Sequence, residues 1–386
     1  MCNNNASSEL NEKGYSLKKY KILAVNPGST STKISVFENE KCLVSEEIQH
    51  PQDVTQKFEK IIDQHEFRKN LVLEALKKKK INIHDLDAIV GRGGLIYPVK
   101  SGAYYVNQQM IDDLKAAVQG EHASNLGAII AADIRDDIFK GTGRKIPALI
   151  VDSVVVDEIE DICRITGFKE IRRKAISHAL SQIASVKKFA EERGVSYKKL
   201  NLIVAHLGGG ISVGAHHKGK YCDVNNALNG EGPFTPERSG SLPVGQLIEM
   251  CYSGKYTLQE MKLKNKGKGG LIALLGTSDF REVEQRIKSG DKQAILVFQA
   301  MAYRIAREIC SLIPAFEGEK LDQIILTGGL ARANIFVNEI KSRLKALDVG
   351  ITVYPGENEM AALRDGALRV LQGKEQAREY FGKIMK

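Results

Sequence analysis

Residues 21–37 read KILAVNPGSTSTKISVF: an apolar run, a turn of Pro, Gly and hydroxyl residues, a lysine, then a second alternating run. A β-hairpin needs only a two-residue loop between its strands. This turn carries more. Gly28 lets the backbone bend without a Cβ penalty, Ser29, Thr30, Ser31 and Thr32 set hydroxyls beside exposed N–H groups, and Lys33 adds a cation. Those are the parts of a phosphate cradle. A decorated surface hairpin would use the same residues, so the stretch alone leaves both readings open.

The rest of the chain weighs on the first reading. Placed over LIVAHLGGGISVGAHHKGK, which begins at Leu202, the opening stretch falls into register strand for strand, with Asn26 over His206 and Gly28 over Gly208. Apolar alternation on both sides of each glycine turn argues for duplication of one supersecondary unit. A third turn, IILTGGLARAN from Ile324, runs from a buried-type strand through Gly328 and Gly329 into a helix start. Glycines there let a ligand approach the backbone, as a nucleotide's base and ribose would. Neither the P-loop nor the standard dinucleotide signature occurs.

Around these turns, short strand-like runs at 22–25, 88–90, 148–151, 202–205, 324–327 and 351–354 alternate with helical stretches, which predicts an α/β fold. Ile295, Phe298, Ala302, Ile305, Ile309 and Leu312 recur at helical spacing up to Pro314. Val337, Ile340, Leu344 and Leu347 do so after a cap expected at Asn334, and a further helix is expected from about Ala175 to a C-cap at Gly194.

With 386 residues, 43% of them hydrophobic, the chain is long enough for two cores. The formal charge of +9 suits anionic small molecules; no basic stripe interleaved with aromatics points to nucleic acid. Lys77 to Lys80 read as a solvated helix terminus. Six scattered cysteines without a C-x-x-C pair indicate neither disulfides nor zinc and fit a reducing cytoplasm. Residues 1–20 read as a polar mobile tail without an apolar signal region, and no run is long enough to span a membrane.

Two phosphate-type hairpins followed by an adenosine-type Gly-Gly turn resemble the actin and sugar kinase superfamily. Within it, NPGSTSTK, GRGG, HLGGGISV, FTPERSG and LTGGLARAN resemble the acetokinase family, and VGRGGLIYPVKSGAYYVN with GEGPFTPERSGSLP is similar to its butyrate kinases. The resemblance covers residues 21–373. It implies duplicated ribonuclease H-like (actin-like ATPase) domains with a cleft between them. One domain is expected over 21–155 and the other over 156–360, with a helix over 361–386 packing back on the first.

The implied activity is reversible transfer of the γ-phosphoryl of ATP, with Mg²⁺, to the carboxylate of butyrate, giving butanoyl phosphate and ADP. Isobutyrate, propionate and acetate are alternative acceptors, and a non-catalytic actin-like ATP-binding scaffold is the alternative from another class. A cytoplasmic homo-oligomer, at least a dimer, is implied too. A carboxylate is already ionised at neutral pH, so the obstacle is charge repulsion from ATP rather than proton removal.

Carried over residue by residue, the resemblance assigns Asn26, Ser29, Ser31 and Lys33 to phosphate and metal positioning, and His206 with Gly208, Gly209 and Gly210 to the second loop. It makes Arg238 the catalytic arginine, which would otherwise be a loop arginine. Asp152 takes the place of a carboxylate that acts through Mg²⁺ or orients the reactants, against the alternative of a strand-end cap. Glu359 takes a metal-associated position with Glu357 as its neighbour in register, and Gly328 and Gly329 the nucleotide turn. His122 stands as either a substrate-facing or a helix-start histidine. Two departures from acetate kinases stand out: AIVGRGG puts Arg92 where they have a histidine, making it the candidate for the substrate carboxylate, and KAISH puts Lys174 and His178 at two histidine positions, with Lys174 reading more simply as a surface lysine.

Overall fold

A computed structural model describes residues 18–383. All but the last three residues of the expected N-terminal tail lie outside them. The described residues divide into two compact units: residues 18–96, 102–151 and 363–383 form the first, and residues 97–101 and 152–362 the second.

The first unit is built on a six-stranded sheet ordered β3-β2-β1-β4-β6-β5. β1 (Lys21–Pro27) and β2 (Ser31–Glu38) form the hairpin expected from the opening stretch, with Asn26 paired to Lys33 and Pro27 to Thr32. β3 (Lys41–Gln49) continues the meander. β4 (Ala88–Arg92) and β6 (Ala148–Val151) run parallel to β1, while the short β5 (Ala103–Tyr105) closes the edge antiparallel to β6. The central strands are buried except at Lys21 and Arg92 at their ends, which is why their interiors read as unbroken apolar runs. The helix Asn125–Thr142 lies against β4 so closely that a Cβ on Gly91 would stand 2.1 Å from the Gly127 carbonyl oxygen. The first glycine of GRGG is therefore a packing requirement.

The second unit carries a five-stranded sheet ordered β11-β10-β7-β8-β9. β7 (Asn201–Leu207), β8 (Ile211–His217) and β9 (Lys220–Val224) form an antiparallel meander; β10 (Gln323–Gly328) and β11 (Gly350–Pro355) add in parallel beside β7. Strand for strand this repeats the β3-β2-β1-β4-β6 order of the first unit, the ribonuclease H-like arrangement. Asn26 and His206 thus occupy equivalent places near the ends of β1 and β7. Val297, Phe298, Met301, Ile305 and Ile309 of the helix Lys292–Ser311 pack with Phe280 and Phe336 over this sheet. Each such side chain contributes about 1.5–3 kcal/mol by burial.

Several helix boundaries differ from expectation. The helix expected from Ala175 begins at Ala179 and ends at Glu192, with Gly194 in left-handed conformation at φ 63°. Asn334 is the first residue of its helix rather than the cap, a place taken by Ala333, and that helix ends at Arg343, short of Leu344 and Leu347. The helix expected over 361–386 is Glu359–Leu371 only. Beyond it Gly373 turns at φ 70°, and the chain runs extended beside β5, where Arg378 N–H donates to the Ala103 carbonyl and Tyr105 N–H to the Arg378 carbonyl. The five described cysteines are free thiols. Among the described residues no helix is long and apolar enough to cross a membrane.

Candidate active site

In the first unit, the loop between β1 and β2 is closed by a hydrogen bond from Gly28 N–H to the Ser31 carbonyl, 2.7 Å. Ser29 is exposed, Asn26 is buried and Lys33 half-buried. The Ser31 hydroxyl is turned into the sheet, where it donates to Glu47 on β3 at 2.7 Å, so its proton is already committed. Thr32 is fully buried and its hydroxyl meets His50 Nε2 at 2.8 Å. Burial, together with the charge of Arg68, lowers His50 to about 4. With the ring neutral, one nitrogen is a donor and the other an acceptor, and the Thr32 hydroxyl can pair with Nε2 in either tautomer.

Arg68, on the helix His65–Lys78, reaches under this loop. Its Nη1 donates to the Gly28 carbonyl at 2.6 Å and its Nη2 to the Ser29 carbonyl at 3.1 Å. In HEFRKN nothing marks it as different from its charged neighbours.

Arg92 ends β4, half-buried. His122 is exposed and precedes the helix Asn125–Thr142; its Nδ1 accepts from the Ser124 backbone N–H at 3.2 Å and meets the Ser124 hydroxyl at 2.8 Å. An accepting Nδ1 leaves Nε2 as the protonated nitrogen.

In the second unit, His206 is buried on β7, opposite Ser212 on β8 and beside Thr327 on β10. Its ring stacks on His178, with centroids 4.0 Å apart and planes 14° from parallel. His178 precedes the helix Ala179–Glu192; its N–H donates to the Ser212 hydroxyl at 3.3 Å and its Nδ1 meets the same oxygen at 2.9 Å. That hydroxyl also accepts from Gln182 at 2.8 Å, and the Gln182 carbonyl oxygen meets the buried His216 at 3.3 Å. With two donors already on the serine oxygen, its own proton goes to His178 Nδ1, which fixes the ring orientation.

Arg238 enters from a loop tied to the glycine turn. Thr235 donates its hydroxyl to the Gly209 carbonyl at 2.7 Å and accepts the N–H groups of Glu237 and Arg238 at 3.2 and 3.0 Å. The guanidinium donates to the Ala227 carbonyl, its Nε is buried without a hydrogen-bond partner, and burial lowers its pKa. A Cβ on Gly210 would lie 2.3 Å from Arg238 Nη1 and 3.1 Å from His178 Cε1, so glycine is what allows the arginine and histidine to meet there. Gly209, by contrast, faces open space, with backbone accessible to a ligand.

At the end of β10, Gly328 stands at φ 94°, and a Cβ there would lie 2.4 Å from the Leu207 carbonyl oxygen; Gly329 opens a 3₁₀ turn with nothing within 4 Å. Asp152 is buried at φ 42°, a left-handed conformation costly for a non-glycine residue. The chain goes on from it through bends and turns, so Asp152 caps no adjacent helix. Glu359 is half-buried at the first position of the helix Glu359–Leu371, Glu357 is exposed outside it, and Lys174 is exposed. Among the described residues no group of three or more His, Cys, Asp or Glu could cage a cation. Within the second unit, the buried carboxylate of Asp152 is a hard oxygen donor of the kind that suits a Mg²⁺ arriving on phosphate oxygens and keeping several waters.

Within the second unit the structure brings together His206, Gly208, Gly209, Gly210 and Arg238, adds Thr235 and Ser212, which the motifs alone did not single out, and gives His178 a place beside them. His178 was legible only as an occupied position in KAISH.

Residues 165–375 match the acetokinase family. Among solved structures, the chain is similar to acetate kinase from Porphyromonas gingivalis, with 19% identity and a TM-score of 0.72 over 91% of this chain and 100% of that one. A propionate kinase from Francisella tularensis subsp. tularensis SCHU S4 gives 21% identity and a TM-score of 0.68 over 90% and 98%. Acetate kinase from Entamoeba histolytica gives 16% and 0.71 over 91% and 99%. These likenesses establish a shared fold. With more than half its length matched, the chain belongs to the acetokinase family.

Proposed function

We propose that the protein transfers the γ-phosphoryl group of ATP to the carboxylate of butyrate, reversibly, giving butanoyl phosphate and ADP. The observation that carries the reading is the desolvated Arg238 guanidinium held with His178 and His206 around the Gly208–Gly210 turn. Phosphoryl transfer asks little covalent chemistry of a protein; it asks for donors and positive charge where charge builds on the transferred group.

In this reading a carboxylate oxygen of the acid forms the new bond to phosphorus while the bond to the bridging oxygen breaks, its electron pair leaving with ADP. The acid is ionised beforehand, and no general base is required. Arg238 braces the equatorial oxygens with its planar fork, and His206 donates to the same group. The open Gly209 backbone, with Gly208 and Gly210, and Asn26, Ser29 and Lys33 of the first loop, hold phosphates. Ser31 shapes that loop from inside. Arg92 and His122 receive the substrate carboxylate, and Gly328 and Gly329 the adenosine. Asp152, Asn26 and Glu359 are the residues that would hold a Mg²⁺ bound with the nucleotide, which would supply neutralising charge to the phosphates. The left-handed Asp152 supports its assignment, since strain of that kind collects at functional positions. A cytoplasmic protein of at least two copies completes the proposal.

Butyrate rests on the GRGG and FTPERSG contexts. Each methylene is worth only about 0.8 kcal/mol of burial, so isobutyrate, propionate and acetate compete. The test is hydroxamate trapping of acyl phosphate with ATP and Mg²⁺ across acetate, propionate, butyrate, isobutyrate and valerate, beside Arg238→Ala. A signal peaking at four carbons and lost in the variant supports the reading. No signal with any acid defeats it.

A further inference from the structure

The most completely buried charged side chain among the described residues is Arg68, with 1% of its surface exposed. A guanidinium in that position ordinarily faces a carboxylate, because burying a lone charge is costly. Arg68 faces none. Its Nε and Nη2 donate to Gln64 Oε1 at 3.0 and 2.8 Å; Nη1 donates to the carbonyls of Gly28 and Ser31 at 2.6 and 3.4 Å and to the Thr32 hydroxyl at 3.5 Å; Nη2 donates to the Ser29 carbonyl at 3.1 Å. Every one of these acceptors is uncharged.

Two consequences follow. Carbonyls at Gly28, Ser29 and Ser31 are drawn inward onto one planar fork, and a loop whose carbonyls point in is free to turn N–H groups the other way. The charge on the fork is also left uncompensated directly behind the loop. Burial lowers the guanidinium only to about 10, so the charge persists at neutral pH. His50, on the buried Thr32 hydroxyl of the same loop, is lowered by burial first and by this charge second.

We infer that Arg68 is a positioning residue for the first loop: it holds the loop's carbonyls inward and supplies, from behind, a positive charge that favours a polyphosphate in front. This rests on the kinase reading only for the identity of the polyphosphate as the nucleotide's.

The deciding variant is Gln64→Glu. It keeps the shape and the Oε1 acceptor, gives up the long 3.5 Å contact from Gln64 Nε2 to the Thr55 carbonyl, and gives Arg68 a carboxylate. If the arginine only packs, pairing leaves binding untouched. If its charge serves the ligand, pairing cancels it. We expect the unliganded melting temperature to stay level or rise, while the Kd for inorganic tripolyphosphate and the KM for Mg·ATP both rise about tenfold and kcat at saturating ATP changes less than about twofold. Arg68→Lys is the complement, keeping the charge and losing the fork. There, amide hydrogen exchange at residues 28–30 should speed up about tenfold or more while β1 and β2 keep their protection. Unchanged tripolyphosphate and ATP affinity in Gln64→Glu, or no tripolyphosphate binding by the wild type, overturns the inference. Expected losses in a protein that phosphorylates no carboxylate would instead remove the kinase reading and leave Arg68 in its role.

Discussion

His178 and His206 lie face to face, their ring centroids 4.0 Å apart, although 27 residues intervene between them in the sequence. One ring precedes a helix and the other sits inside a strand; Gly210 leaves room for His178 beside Arg238, and His206 lies against Gly208 of the same turn. The first predictions concern this group.

Arg238→Ala should lower kcat by about 10²–10³, the range for loss of one preorganised charge donor. Arg238→Lys should recover little, because an ammonium reproduces the charge but not the fork. Steady-state kinetics with circular dichroism to confirm folding would check this; full activity in the lysine variant would count against bidentate bracing.

Gly210→Ala places a methyl group 2.3 Å from Arg238 Nη1. Since the clash is with a side-chain end rather than backbone, the protein should fold, with kcat reduced by roughly 10²-fold through a displaced arginine. A variant with wild-type kcat would show that Arg238 can move without consequence.

Asp152→Asn keeps a residue tolerant of φ 42° and removes the charge, whereas Asp152→Ala removes both. The asparagine variant should stay within about 1 kcal/mol of wild-type stability while losing activity, and the alanine variant should lose stability as well. Thermal unfolding of the pair separates strain from charge.

Two buried histidines should contribute to the acid limb of stability. His50 is lowered to about 4 and His216 to about 3, both by burial first, from an ordinary 6.5. Below pH 6.5 the unfolded chain takes up these protons and the folded chain does not, so stability falls with pH down to the folded values. Each histidine contributes a slope of about 1.4 kcal/mol per pH unit within that window. Denaturant unfolding between pH 7 and 4.5 should show it, and His50→Asn should flatten it by about one proton. An unchanged slope in that variant would mean His50 is protonated in the fold.

Much of this was legible in the sequence where one physical rule governs a segment. LIVAHL reads as a buried strand because every residue of β7 is buried, and its glycine turn announces itself by composition. The boundary at 175–178 was not legible. Ser177 N–H donates to the Val154 carbonyl and His178 N–H to the Ser212 hydroxyl, so tertiary partners hold this segment out of the helix that its local pattern suggests. The same cause hid Arg68, whose burial is decided by a loop about 40 residues away in sequence. Motifs reveal residues that touch ligands; residues that hold those residues carry no local signature.

The Gly328 turn has one more implication. β10 runs beside β7 with Thr327 next to His206, and Gly328 is pressed on the Leu207 backbone. Turn and histidine therefore belong to a single lever. A movement that loosens one drags the other, so in the proposed kinase the holds on base and phosphate would slacken together.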